Sequence, residues 1–201
     1  MEIPRRRVMH RACMTNATTH TIKAHSAQTS NGETAPSRRG RGFTHESGPH
    51  NPNIEWYTPA AVFNALGVEF DLDPCSPGSA LSNVPAVSCF TIDDDGLTSP
   101  WHGMCWVNPP YDDTDTWLEK LAAHGDGIAL VFARTDTKWA HKAMASADVV
   151  CFTAGRIKFI NGRTGRPQGS PGAGSMFLAW GERAARALRQ ADLGLCFSVL
   201  S

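Results

Sequence analysis

Met104-Cys105-Trp106-Val107-Asn108-Pro109-Pro110-Tyr111 carries two opposed instructions in eight residues. Its first half is an uninterrupted apolar run, which reads as a short buried strand. Its second half forbids that strand to continue. Two consecutive prolines fix φ and remove two N–H donors, so the chain leaves the strand on a rigid path. Similar short apolar runs follow downstream: Gly127–Ala133, Val149–Thr153, Ser175–Trp180 and Gly194–Leu200. Upstream lies Val68–Leu72, stopped by Asp73-Pro74. Between them fall stretches with helical spacing: Ala60–Leu66, Thr116–His124, Lys138–Ala147 and Glu182–Gln190. Trp117, Leu118 and Leu121 share one face of the second. Strands alternating with helices predict an α/β fold with a mainly parallel central sheet.

The punctuation sharpens this reading. Thr58-Pro59 predicts a helix start, with Thr58 as cap and Pro59 at the first helical position. Gly67 predicts its end. Residues 76–100, interrupted by prolines and without a clear period, predict a long loop, as does the Gly- and Arg-rich stretch 156–174. In open α/β sheets, ligands bind at the carboxyl ends of strands. The loops after Leu72 and Val107 both lie there.

The chain has 201 residues, 41% hydrophobic and 19% charged, which suits one compact domain with a tail. The formal net charge is zero. Residues 1–50 nevertheless hold eight Lys/Arg against three Asp/Glu, and residues 51–201 eleven against sixteen. A basic, Ser/Thr/Gly-rich arm therefore precedes an acidic domain whose first element starts near Ile54. The arm is too poor in apolar residues to offset its ordering entropy, and reads as a disordered solvated tail or an upstream extension. Its Ser37–Gly42 segment could touch phosphates. No apolar run is long enough to span a bilayer, and the start lacks a signal-peptide core, so a cytoplasmic location is expected. The six cysteines are scattered, with no C-x-x-C pair and no zinc spacing, and are expected to stay reduced.

The chemistry concentrates in Asn108–Tyr111. A carbonyl beside the two prolines has a fixed direction, and the Asn108 side chain adds another acceptor. Together they can grip an –NH₂ group from two sides. Tyr111 offers a flat face for a planar ring. This suits methylation of an aromatic amine, whose lone pair is delocalised and weakly nucleophilic. Accepting both N–H bonds favours a more pyramidal nitrogen. Direct in-line displacement from a sulfonium then needs orientation, and no covalent intermediate.

An ordered set of motifs carries a resemblance. It runs Glu55-Trp56-Tyr57-Thr58-Pro59, Phe70-Asp71-Leu72-Asp73-Pro74-Cys75, Asp95-Gly96-Leu97 with Trp101, and Trp106-Val107-Asn108-Pro109-Pro110-Tyr111. Ala133-Arg134-Thr135-Asp136-Thr137, Gly155-Arg156-Ile157-Lys158-Phe159 and Gly174-Ser175-Met176 follow. The set spans about residues 54–180 and resembles the phage-type DNA N6-adenine methyltransferases, often called Dam. The resemblance implies a Rossmann-like fold with helices on both sheet faces, S-adenosylmethionine as methyl donor, and adenine in duplex DNA as target. It also implies a phage or restriction–modification setting. Asn108, Pro109, Pro110 and Tyr111 are then catalytic, with Tyr111 stacking a flipped adenine. Asp73, Pro74, Cys75, Ser76 and Gly78 form the cofactor loop. Pro77 stands where the family usually has glycine, which leaves Gly78 to allow close backbone approach. Tyr57, Thr58 and Pro59 wall the methionine side, and Asp95 is a candidate for the adenosine moiety. Arg134, Arg156, Lys158, Arg163 and Arg166 are candidate DNA contacts, with 156–174 the target-recognition loop.

Other readings attach to the same residues. Asp71 shares a strand face with Asp73, and one of the two is expected to reach the ligand. Asp93 and Asp94 read as a solvated loop, since one acidic run lacks the further ligands of a metal site. Pro74-Cys75 matches the nucleophile of cytosine-C5 methyltransferases, but Cys75 lies in the cofactor loop and reads as a small packed residue. The five cations are surface charges or phosphate contacts. Cytosine N4, RNA or protein glutamine are alternative methyl acceptors, and an inactive DNA-binding relative is an alternative of another class. A nuclease lacks its metal cluster.

Overall fold

The computed structural model describes residues 56–78, 82–162, 164–167 and 172–200. In chain order the elements are β1 (Trp56–Tyr57), α1 (Ala60–Leu66), β2 (Phe70–Asp73), β3 (Ala86–Cys89) and β4 (Cys105–Val107). There follow a 3-10 turn (Tyr111–Asp113), α2 (Thr114–His124), β5 (Gly127–Phe132), α3 (Lys138–Ser146), β6 (Val149–Thr153), β7 (Ile160–Asn161), β8 (Ser175–Trp180), α4 (Glu182–Gln190) and β9 (Gly194–Ser198).

Apolar runs become strands because a sheet buried on both faces has no polar side for alternation to mark. All six residues of β5 and all six of β8 are buried. The helices divide between the faces. Val62, Phe63 and Leu66 of α1 join Ala184, Ala185 and Leu188 of α4 in one core around Trp106. Trp117, Leu118 and Leu121 of α2 join Ala140 and Ala143 of α3 in the other. Phe63 and Phe70 meet the Trp106 ring at centroid distances of 4.8 and 5.4 Å. Trp56 and Trp101 are only partly buried, at the margins of these cores.

The main sheet has seven strands in the order β3-β2-β4-β5-β8-β6-β9. Pairings β2–β3, β2–β4 and β4–β5 are parallel, whereas β5–β8, β6–β8 and β6–β9 are antiparallel. The expectation of a mainly parallel sheet is therefore corrected: the sheet is mixed, flanked by helices. The physical reason lies between β6 and β8, where none of the described residues forms a helix that would carry the chain back along the sheet. The chain leaves β6 and enters β8 at the same edge, so β8 must reverse.

Three local expectations also change. Residues 76–100 contain β3, an outer strand paired only to β2. Pro85 stands just before it, where a proline costs no ladder bond. The 156–174 stretch contains β7, which pairs antiparallel with β1. Thr58 does not cap α1: the N-cap is Pro59, without a side-chain bond. Gly67 does end α1, with φ +63° and its N–H donating to the Phe63 carbonyl at 3.0 Å. None of the helices among the described residues is long and apolar enough to cross a membrane.

Candidate active site

The strand order makes a crevice. From β2 the chain passes to β3 on one side, then returns to β4 on the other side of β2. Connections diverging from neighbouring parallel strands open a gap at their carboxyl ends. Asp73 ends β2 and Asn108 follows β4 at this gap.

The loop after β2 is held from several sides. Asp73 is 3% exposed. Its carbonyl accepts the Phe90 N–H at 2.9 Å, and the Phe90 carbonyl accepts the Ser76 N–H at 2.9 Å. Burial pushes the Asp73 carboxyl up to about 7, against neutral hydrogen bonds from the Ser76 side chain and the Cys75 N–H. The Ser76 hydroxyl accepts the Gly78 N–H at 3.2 Å. Gly78 has φ +100°, so the position that requires glycine lies one residue after the exposed Pro77. The backbone N–H of Asn108 faces the Cys75 sulfur closely enough to act on its thiol, so the two loops lie side by side. Burial and the adjacent Asp73 nevertheless push the Cys75 thiol well above its usual range. That argues against a thiolate nucleophile and for a packed residue. Asp71 is engaged elsewhere: its carboxylate accepts the Met104 N–H at 2.7 Å and lies 3.6 Å from Arg183.

Asn108 and Pro109 line a cavity of about 280 Å³ together with Tyr111, Phe132, Arg134, Trp139 and Phe159. Pro109 is buried, Asn108 half-buried and Pro110 exposed. The Thr114 hydroxyl bonds the carbonyls of Pro110 (3.1 Å) and Tyr111 (3.2 Å), which fixes the turn into α2. Tyr111 is 55% exposed and stacks on Phe132, centroids 4.8 Å apart and planes 7° from parallel. Phe132, Trp139 and Phe159 escaped the sequence reading, because apolar residues in a strand, a helix or a loop read as core. Arg134 and Thr137 bound the cavity from the turn before α3. The Thr137 hydroxyl donates to the Arg134 carbonyl at 2.8 Å and accepts the Ala140 N–H at 3.4 Å.

Tyr57 and Thr58 reach the same edge through β7. Tyr57 pairs with Ile160, next to Phe159, while the Thr58 carbonyl accepts the Asn83 side chain at 3.3 Å. Two buried side-chain polar atoms among the described residues lack a hydrogen-bond partner: the hydroxyls of Thr58 and Ser175. Ser175 opens β8 opposite Phe132, at the cavity edge of the sheet. Unpaired buried hydroxyls are costly, and two beside one crevice mark where a ligand could complete them.

The other expected residues sit further out. Asp95 is exposed, with φ +47°, a left-handed geometry that Asp tolerates. Pro59 is half-buried at the start of α1. Arg156, Lys158 and Arg166 are exposed on the segment between β6 and β8. That segment folds into a small hairpin: the Asn161 N–H donates to the Arg166 carbonyl at 3.0 Å, and Ile160 bridges Pro167. Arg163 lies outside the described residues. Among the described residues, no group of three or more His, Cys, Asp or Glu is placed to hold a metal.

A family model described as DNA N-6-adenine-methyltransferase (Dam) matches residues 48–191. No curated protein and no solved structure matches the chain.

Proposed function

The chain belongs to the DNA N-6-adenine-methyltransferase family, and from that premise we propose how its residues divide the work of methylating adenine in DNA. The observation that carries the reading is the juxtaposition of two loops at one crevice. Asp73–Gly78 follows β2 and Asn108–Tyr111 follows the neighbouring β4, with the Asn108 N–H facing Cys75.

S-adenosylmethionine fits the first loop. The Asp73 carboxyl is buried among neutral partners, and a cationic ligand carrying a sulfonium and an ammonium would stabilise its charged form. The orphaned Thr58 hydroxyl is a second point of attachment. Asp73, Pro74, Cys75, Ser76 and Gly78 would hold the cofactor, Tyr57–Pro59 would wall its methionine end, and Asp95 would bind the adenosine hydroxyls. The cofactor supplies an electrophilic methyl group.

The chain's own residues do the rest. Asn108 and the carbonyl beside it accept the two N–H bonds of the adenine amine, which frees its lone pair. The fixed proline backbone keeps those acceptors aimed, so the contribution is orientation. The cavity takes the flipped base. Phe132 already occupies one face of Tyr111 at stacking distance, so the adenine stacks on the other face or displaces the tyrosine. Arg134, Arg156, Lys158 and Arg166 contact phosphates around the cavity, and Arg163, outside the described residues, is a further candidate cation. We read the fold as a Rossmann-like methyltransferase domain over residues 51–201, with 1–50 outside it.

The test is transfer of radiolabelled methyl from S-adenosylmethionine to unmethylated DNA, with nucleoside analysis of the digest. Label in N6-methyladenine, lost in Asn108→Ala, is the expected result. Label in N4-methylcytosine, or none in DNA with cofactor bound, would overturn it.

A further inference from the structure

Lys120 stands in the middle of α2 and belongs in sequence to none of the motifs described above. An ammonium has three N–H donors. Lys120 Nζ donates to the carbonyls of Gly96 (3.0 Å), Leu97 (2.7 Å) and Ser99 (2.6 Å). It also lies 4.9 Å from the centroid of the Trp101 ring. Trp101 Nε1 donates to the Gly96 carbonyl at 2.7 Å, and its ring stacks on Trp117 of the same helix, centroids 6.0 Å apart. A surface lysine has no reason to bond three carbonyls of one short segment. Such a fan of bonds is a clamp.

The clamped segment bears on the cofactor loop. A Cβ on Gly96 would fall 1.9 Å from the Pro74 carbonyl oxygen, so the segment passes directly over that loop. The carbonyl of Asp95 accepts the N–H groups of Thr98 (3.1 Å) and Ser99 (3.0 Å), which closes the segment into a tight turn. The other end of the clamp is equally placed. Lys120 lies less than two turns from Thr114, whose hydroxyl fixes the Pro110 carbonyl. One helix thus holds the catalytic turn at its start and the cover of the cofactor loop at its middle.

We propose that Lys120 is a positioning residue for the cofactor. It holds Asp95–Ser99 against Pro74 and ties the cofactor loop to the helix that follows Asn108–Tyr111. The inference rests on reading Asp73–Gly78 as the cofactor loop.

Lys120→Met and Lys120→Arg test it, read by calorimetric titration of S-adenosylmethionine and by steady-state methyl transfer. Lys120→Met raises both Kd and KM for the cofactor about tenfold, the equivalent of one charge-assisted hydrogen bond. Its kcat at saturating cofactor stays within about twofold, as for an interaction lost equally from ground and transition states. Lys120→Arg, which keeps charge and donors, recovers most of the affinity. A merely structural lysine would lower Tm and leave Kd and KM alone; unchanged constants in Lys120→Met overturn the proposal. Should that variant fail to fold, Trp101→Phe removes only the indole bond to Gly96. It raises the same Kd by a smaller factor, and an unchanged Kd counts against the clamp. A wild-type chain that binds no S-adenosylmethionine fails differently, since it sinks the cofactor reading itself.

Discussion

Asn108 and Asp73 illustrate how much one side chain reveals and where it stops. Asn108 was identifiable through the ordered motifs around it, since an Asn and two prolines after a strand also make an ordinary turn, and the fold does place it on a cavity at a strand's carboxyl end. On the proposed reading, Asn108→Ala removes an acceptor for the reacting amine. By analogy with losing one oxyanion-hole donor, kcat should fall about 10²–10³-fold while cofactor Kd holds, measured by single-turnover methyl transfer. Asp73 was visible as a strand-end acid, but its titration was not, because burial is a property of the fold. Its carboxyl is raised to about 7, so between its unfolded value and 7 the folded chain holds the extra proton. Stability therefore falls as pH rises through that window, and the cost is fully present above 7. Asp73→Asn should raise the Tm of the ligand-free protein at pH 8, at about 2–4 °C per kcal/mol recovered, with the gain vanishing near pH 4. Cofactor binding should depend on pH in the opposite sense. A cationic ligand needs the charged carboxylate, so wild-type affinity should drop up to about tenfold per unit below pH 7, and Asp73→Asn should bind weakly at every pH. Phe132, Trp139 and Phe159 mark the limit: nothing in an apolar residue says that its neighbour across the fold is Tyr111.

Elements were legible in proportion to their burial. α1, β6, β8 and α4 fall where the periodicity puts them, since each is closed by Gly, Asp or a polar turn. β3 was not legible, because an outer strand half-covered on one side carries neither an apolar run nor clean alternation. β1 and β7 are two residues each, below any pattern, and are set by pairing across the chain rather than by their own sequence. Gly96 belongs at this scale. Its backbone needs no left-handed geometry; it is glycine because the segment after β3 touches the Pro74 carbonyl. Gly96→Ala should force that segment off the cofactor loop, with an overpacking cost of about 1–3 kcal/mol. Thermal unfolding should report the loss and cofactor titration a raised Kd. A variant with wild-type Tm and Kd would mean that the contact yields freely.

For the whole molecule, the sequence supported an α/β sheet but not the direction of its last strands. Direction depends on where a connection begins and ends, and the stretch between β6 and β8 has a composition that says only loop. Its actual role follows from the reversal it causes. Starting and finishing at the carboxyl edge, it brings Lys158 and Arg166 to the edge that holds Arg134 and the cavity. The domain is acidic overall, so net charge cannot attract DNA, and binding must rely on this local arrangement. Each phosphate contact releases counterions, which makes log Kd vary with log salt concentration by about 0.9 per contact on duplex DNA. Lys158→Ala and Arg166→Ala should each lower that slope by about one, weaken every DNA sequence alike, and leave cofactor Kd unchanged. Fluorescence anisotropy of a labelled duplex across a salt series measures all three. A slope equal to wild type in both variants would move the phosphate contacts off this segment, and leave Arg134 at the cavity mouth as the cation to test next.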